Sequence, residues 1–270
     1  MKRLSWLLIL TLVACGPAAV ATSTVTSTNI PTFTPTQTAT PIQLATLEPD
    51  QAREKIRLAM QESVDCDAPC FWGIVPDQTS VSEAIDIFSH LGLQVKNTTL
   101  DNKVFYGVAY EMDNGFFFTV PLTTQEGIVK NIRVNISPEP YQAGVPRQWE
   151  SFSPVSLIRR YGVPSRVAMS IAFGPSLDSP NIDFDMTFYY DSRDLIVYYY
   201  GEHLGEKPQI CPLTDQFDLV RIWMGKDPYN PPKNFFSMES VTSLTMEEFV
   251  KLMTGNPEQA CFKLNFDAFK

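Results

Sequence analysis

Hydrophobic and polar positions follow two rhythms after residue 50, and the rhythm changes twice in the same order. Near 50–65, Ile56, Met60 and Val64 recur every fourth residue, as on one face of a helix, with Asp50 or Gln51 placed to cap it. In "TSVSEAIDIFSHLGL", Val81, Ala84, Ile85, Phe88 and Leu91 form a second apolar face, Ser80 and Glu83 make a capping-box pattern, and Gly92 suits the stop. In "SFSPVSLIRRYGVPS", Ser153 caps, Pro154 fits the first turn, Ile158 and Tyr161 face inward, and Gly162 with Pro164 ends the helix. In "SLTMEEFVKLMTGNP", Thr245 and Glu248 repeat the capping box ahead of Phe249, Leu252 and Met253.

After the second and third of these segments the period drops to two. The first run of strands covers 93–99, 104–112, 116–121 and 128–136, with a hairpin signal at Asp113-Asn114-Gly115 and a turn through Glu126-Gly127. The second covers 166–173, 182–190, 195–200 and 217–225. Ile182, Phe184, Met186, Phe188 and Tyr190 share one strand face, while Asp183, Asp185, Thr187 and Tyr189 share the other. The expected fold class is therefore α+β: two tandem units, each a helix plus a four-stranded antiparallel sheet, with an extra C-terminal helix. The first unit with its leading helix spans residues 50–145, and the second spans 146–270.

Residues 1–14 have a different character. Lys2 and Arg3 precede an apolar run from Leu4 to Val13, too short to span a bilayer. The run ends in Leu12-Val13-Ala14-Cys15, which resembles the lipobox of bacterial lipoproteins; the alternative is an ordinary secretory signal cut nearby. The resemblance implies cleavage before Cys15 and lipidation of Cys15, palmitate-type acyl chains included, with the protein held on the extracytoplasmic face of a cell membrane. Residues 15–49 then form the lipidated cysteine and a Thr/Pro-rich stalk with no charge until Glu48. Such composition buries too little apolar surface to offset its ordering entropy and favours extended geometry. Fully extended, the stalk reaches roughly 100 Å.

The net charge of −9, and the lack of any basic run, argue against a nucleic-acid partner and against an electrostatic grip on anionic lipid. With Cys15 lipidated, Cys66, Cys70, Cys211 and Cys261 remain, an even number in an oxidising compartment, which favours two disulfides. Three pairings are open, and Cys66–Cys70 with Cys211–Cys261 is the expected one. A redox centre is disfavoured by the Cys-x-x-x-Cys spacing and by Asp67 within it, and a zinc site by the lack of further ligands nearby.

The phrase "GIVPDQTSVSEAIDIFSHLGL" resembles the "W-G-I-x-P-G-x-T…LG" pattern of uncharacterised bacterial lipoproteins with Thr/Pro stalks, with Asp77 where glycine is usual. The helix-then-meander order is similar to the small outer-membrane-assembly lipoprotein fold, and its doubling is similar to the β-lactamase inhibitor protein. The resemblance implies binding surfaces rather than catalysis, and it transfers no functional residue.

No phosphate loop, nucleophile elbow or metalloprotease helix occurs. His90 and His203 are the only histidines, and neither has a catalytic context. Asp183 and Asp185 share a face, as paired carboxylates do when they bind calcium or act as acid and base, but a wet strand face accounts for them equally. The best candidate surface is aromatic: Tyr189, Tyr198 and Tyr200 on one hairpin face, with Trp223 on a neighbouring strand. Core packing or cross-strand pairing is its competing reading. The sequence thus reads as a non-enzymatic ectodomain, with no cofactor or metal, that binds another envelope protein. A carbohydrate- or small-ligand-binding lipoprotein and a hydrolase with an unrecognised site are the alternatives.

Overall fold

Three predicted helices begin at their predicted caps, Ser80, Ser153 and Thr245, while the first starts at Pro49, one residue ahead of the expected Asp50 or Gln51. The computed structural model describes residues 45–62, 66–100, 103–111, 116–138, 147–173, 181–204, 209–212, 216–226, 235–256, 260–265 and 268. The leader, Cys15, most of the stalk, Val64 and the Asp113-Asn114-Gly115 turn lie outside them. Helix α1 (Pro49–Glu62) leads to α2 (Val81–His90), where the Ser80 hydroxyl accepts from Glu83 N–H and the Glu83 carboxylate accepts from Ser80 N–H. In α3 (Pro154–Tyr161) the cap is Ser153, Pro154 opens the first turn, and Gly162 ends the helix at φ +80°. A short helix the hydrophobic pattern does not predict, α4 (Met238–Thr242), precedes α5 (Met246–Thr254), whose capping box joins Thr245 and Glu248.

The strands follow the period-two segments. The first four are β1 (Lys96–Leu100), β2 (Lys103–Glu111), β3 (Phe117–Gln125) and β4 (Ile128–Ser137). Then come β5 (Arg166–Phe173), β6 (Asn181–Tyr190), β7 (Leu195–Leu204) and, past the short β8 (Gln209–Ile210), β9 (Gln216–Met224). Two further short strands are β10 (Phe236–Ser237) and β11 (Phe262–Lys263).

All the long strands belong to one antiparallel sheet in the order β1-β2-β3-β4-β9-β7-β6-β5-β10, and β8 pairs with β11 separately. The protein is thus mixed α+β, with one nine-stranded sheet where the sequence pattern suggested two. The reason is the pairing of β4 with β9, which joins Val134 to Ile222 and Ile136 to Val220. An apolar four-stranded meander has a free edge on its last strand, and joining two such edges satisfies both.

One face of the sheet carries the core. Phe118, Val120, Ile132, Val134, Val220, Ile222, Val197, Tyr199, Met186 and Phe188 are all completely or almost completely buried there. The helices lie over this face: Trp72, just ahead of α2, packs edge-on against Phe118, Phe249 of α5 packs against Phe188, and Tyr161 of α3 packs against Tyr190. Tyr199 donates its hydroxyl to the Phe152 carbonyl at 2.7 Å, tying the central strand β7 to the turn before α3.

The cysteine-rich stretch packs against the same layer. Cys66 and Cys70 stand at bonding distance, with sulfurs 1.98 Å apart, and Cys211 and Cys261 likewise at 2.11 Å, so the four fit two disulfides. Beyond Cys70 the chain reverses between Phe71 and Ile74, which exchange backbone bonds. The corner residues Trp72 and Gly73 have φ of +53° and +85°. Glycine meets that requirement freely, whereas Trp72 adopts it with its ring stacked on Phe71 at 4.5 Å. Asp77, the departure from the lipoprotein pattern, also sits left-handed at φ +64°, a conformation aspartate tolerates, and it pairs with Lys130 at 2.8 Å.

Candidate functional site

The other face of the sheet is where the predicted site residues fall. Side chains alternate along each strand, so register alone decides which of them meet. On β6 and β7, Asp183 lies opposite Glu202, Asp185 opposite Tyr200, Thr187 opposite Tyr198, and Tyr189 opposite Ile196. On β7 and β9, Tyr198 lies opposite Arg221 and Ile196 opposite Trp223. Across the β4–β9 seam, Arg133 lies opposite Trp223 and Asn135 opposite Arg221. One row therefore runs Thr119–Asn135–Arg221–Tyr198–Thr187 across five strands, two of the first half and three of the second, crossing the seam between them.

These side chains touch. Trp223 meets Tyr198 edge-on with ring centroids 6.3 Å apart, and the Arg221 guanidinium lies 6.0 Å from the centre of the Tyr198 ring. Asn135 donates to the Thr119 hydroxyl at 2.8 Å. Tyr198 donates its hydroxyl to Asp185 Oδ1. Most of this centre is neither buried nor fully exposed: Tyr198, Tyr200, Arg221, Trp223, Asp183 and Asp185 are all half-buried, and Arg133 is exposed.

Charge is segregated across the patch. Arg133 and Arg221 stand together on the β4–β9 side; although the Arg133 side chain reaches solvent, desolvation by its neighbours and then the repulsion of Arg221 lower its pKa. Asp183, Asp185, Glu202 and Asp218 gather around Tyr200 on the opposite side. Burial raises the Asp185 pKa, the Tyr198 hydrogen bond opposes that rise, and Asp183 adds to it. Burial and then Asp183 raise the Asp218 pKa, while Tyr200 is raised by burial and by its acidic neighbours.

The tyrosine ridge needs one correction. Tyr198 and Tyr200 line the open face as the alternation predicts, but Tyr189 is 0% exposed and presents no surface. Its register partner on β5 is Arg166, whose guanidinium lies 3.6 Å from the centre of the Tyr189 ring. Thr187 beside it is also fully buried, so the face closes toward β5 and opens toward β4. Sequence reading also passed over Arg133 and Arg221 as part of this site. The alternation of β4 shows Arg133 pointing outward, but only the β4–β9 pairing brings it to Trp223.

His90 does not join the patch. Nδ1 of His90 is hydrogen-bonded to the Ala45 carbonyl at the end of α2, and the His203 side chain lies outside the described residues. Among the described residues no group of three His, Cys, Asp or Glu side chains is arranged to hold a metal ion, and no helix is long and apolar enough to cross a membrane. Comparison with protein-family models, with curated proteins and with solved structures returned no match.

Proposed function

We propose that this chain is a lipid-anchored, extracytoplasmic protein-binding module of the cell envelope, and that its partner docks on the open sheet face. The observation that carries this reading is the half-buried centre of that face, where Tyr198, Tyr200 and Trp223 lie between an arginine pair and an acidic group. Tyrosine, tryptophan and arginine are the side chains that most often anchor protein interfaces, and adjoining charges of both signs fix orientation. The anchor at Cys15, with its acyl chains, rests on the leader and lipobox pattern, and the stalk on its Thr/Pro composition. A non-enzymatic role is the simplest reading of a face that groups aromatic and charged side chains without a nucleophile–base pair.

The same proposal takes the ectodomain as two tandem helix-plus-four-strand units. Its support is the sheet order: α2 precedes β1–β4, α3 precedes β5, β6, β7 and β9, and the two meanders meet through their last strands. On this reading the binding face spans the β4–β9 seam.

A second reading, a carbohydrate-binding lipoprotein, is favoured by one observation: Tyr200 is ringed by Asp183, Asp185, Asp218 and Glu202, a ring face beside carboxylate acceptors. The test is crosslinking in intact cells with a C-terminally tagged chain, followed by identification of what is recovered. A stoichiometric envelope protein that disappears with Tyr200→Ala plus Trp223→Ala supports the module. Recovery of the same protein at the same yield from that variant overturns docking on this face. Absence of any protein, with glycan retention by the purified ectodomain, supports the second reading.

A further inference from the structure

On the helical side of the molecule, away from the open sheet face, α1 and α2 leave a cavity of about 290 Å³ between them. Ile56 and Ala59 wall it from α1, and Ile87 and Leu91 wall it from α2 and its end. The left-handed Trp72–Gly73 corner closes it, and a β-carbon on Gly73 would come within 3.9 Å of Ile87 Cδ1. At a water's share of about 30 Å³, the space takes about ten heavy atoms.

Two side chains that carry donors or positive charge border this apolar space, His90 and Lys55. Trp72 is 8% exposed, and its indole N–H has no partner among the described residues. That nitrogen is sealed within the fold, so the indole contributes its ring, not its N–H, to the cavity wall. His90 lines the cavity with Nδ1 committed to the Ala45 carbonyl, which leaves Nε2 for another partner. Lys55 stands at the rim, and no carboxylate among the described residues lines the cavity.

We propose that this cavity binds a small amphiphilic monocarboxylate, such as a medium-chain fatty acid, with its apolar body between the helices. The carboxylate lies toward Lys55 and His90, and the apolar body lies along the Trp72 ring. An anion complements a border made of donors and cations, and a single charge suits a site with one lysine. A neutral alcohol of the same length fills the volume but leaves the cations unanswered. The site is separate from the sheet face, so the proposal stands or falls independently of protein docking there.

The experiment is titration of the ¹⁵N-labelled chain with octanoate and, separately, octanol, following the Trp72 indole cross-peak assigned through Trp72→Phe. Octanoate is expected to move that peak saturably, with a Kd of about 0.1–1 mM. Octanol and the Lys55→Glu variant are each expected to bind about tenfold more weakly. Ala59→Trp fills the cavity and is expected to abolish the shift; since Ala59 is buried, the exposed Lys55 variant decides the question if that chain does not fold. An unmoved Trp72 peak, equal binding of octanol, or unchanged affinity in Lys55→Glu overturns the proposal. A shift that emerges only after Ile42 and Leu44 are replaced by Ser overturns it too, and assigns the cavity to the chain's own segment before Ala45.

Discussion

Tyr198 on β7 donates its hydroxyl to Asp185 on β6, one step diagonal in register, and so stabilises a carboxylate that burial and Asp183 destabilise. The net direction is a raised pKa. Ionised Asp185 therefore opposes folding at neutral pH, and that penalty disappears as pH falls through its folded pKa toward the unfolded value of about 3.9. Asp185→Asn is expected to be more stable than the parent at about pH 7, with the difference closing toward about pH 3. Urea denaturation across that range measures it, and a less stable variant at neutral pH would contradict the assignment.

Tyr199 provides a cleaner structural test. It is fully buried, burial holds its pKa well above the ordinary tyrosine value, and its hydroxyl satisfies the Phe152 carbonyl. Tyr199→Phe preserves the ring and orphans that carbonyl, at an expected cost of about 1–3 kcal/mol. Equilibrium unfolding midpoints of the two chains give the value directly.

The two disulfides differ in expected worth. Cys211 and Cys261 are separated by 50 residues and Cys66 and Cys70 by 4. The chain-entropy relation gives about 4 kcal/mol for the first and about 2 kcal/mol for the second. Replacing each pair by alanine separately, with calorimetry of both variants, should reproduce that order.

The anchor is tested at one atom. Cys15→Ser leaves the leader intact but removes the sulfur to which the proposed lipid would attach. The variant is expected to leave the membrane fraction for the soluble extracytoplasmic fraction, while the parent stays with the membrane even after a high-salt wash. Retention of the variant on membranes would argue against lipidation as the tether.

Much of the fold was legible because its signals are local. The capping boxes at Ser80–Glu83 and Thr245–Glu248, and Ser153 ahead of Pro154, depend on residues three apart at most. Strand alternation placed Phe184, Met186 and Phe188 inside and Asp183 and Asp185 outside correctly. The β4–β9 pairing was not legible, since it joins residues some eighty positions apart and any meander edge satisfies the same pattern. That gap carried into the site. Alternation predicts which way Tyr189 points but not that Arg166 covers it, and it puts Arg133 on the wet face without naming Trp223 as its neighbour. The short helix α4 escaped because its five residues are fewer than two turns and show no period.

The seam between β4 and β9 also sets a constraint on synthesis. Every pairing within β1–β4 joins neighbouring strands, so that half can assemble as soon as it emerges. Its last strand then waits, edge bare, until residues 216–224 arrive to cover it. A fragment ending after Ser137 would keep Ile132, Val134 and Ile136 on a strand paired with β3 on one side and with nothing on the other. A bare apolar edge recruits whatever strand is nearest, including another copy of itself. A chain made in order must therefore keep that edge shielded while it waits.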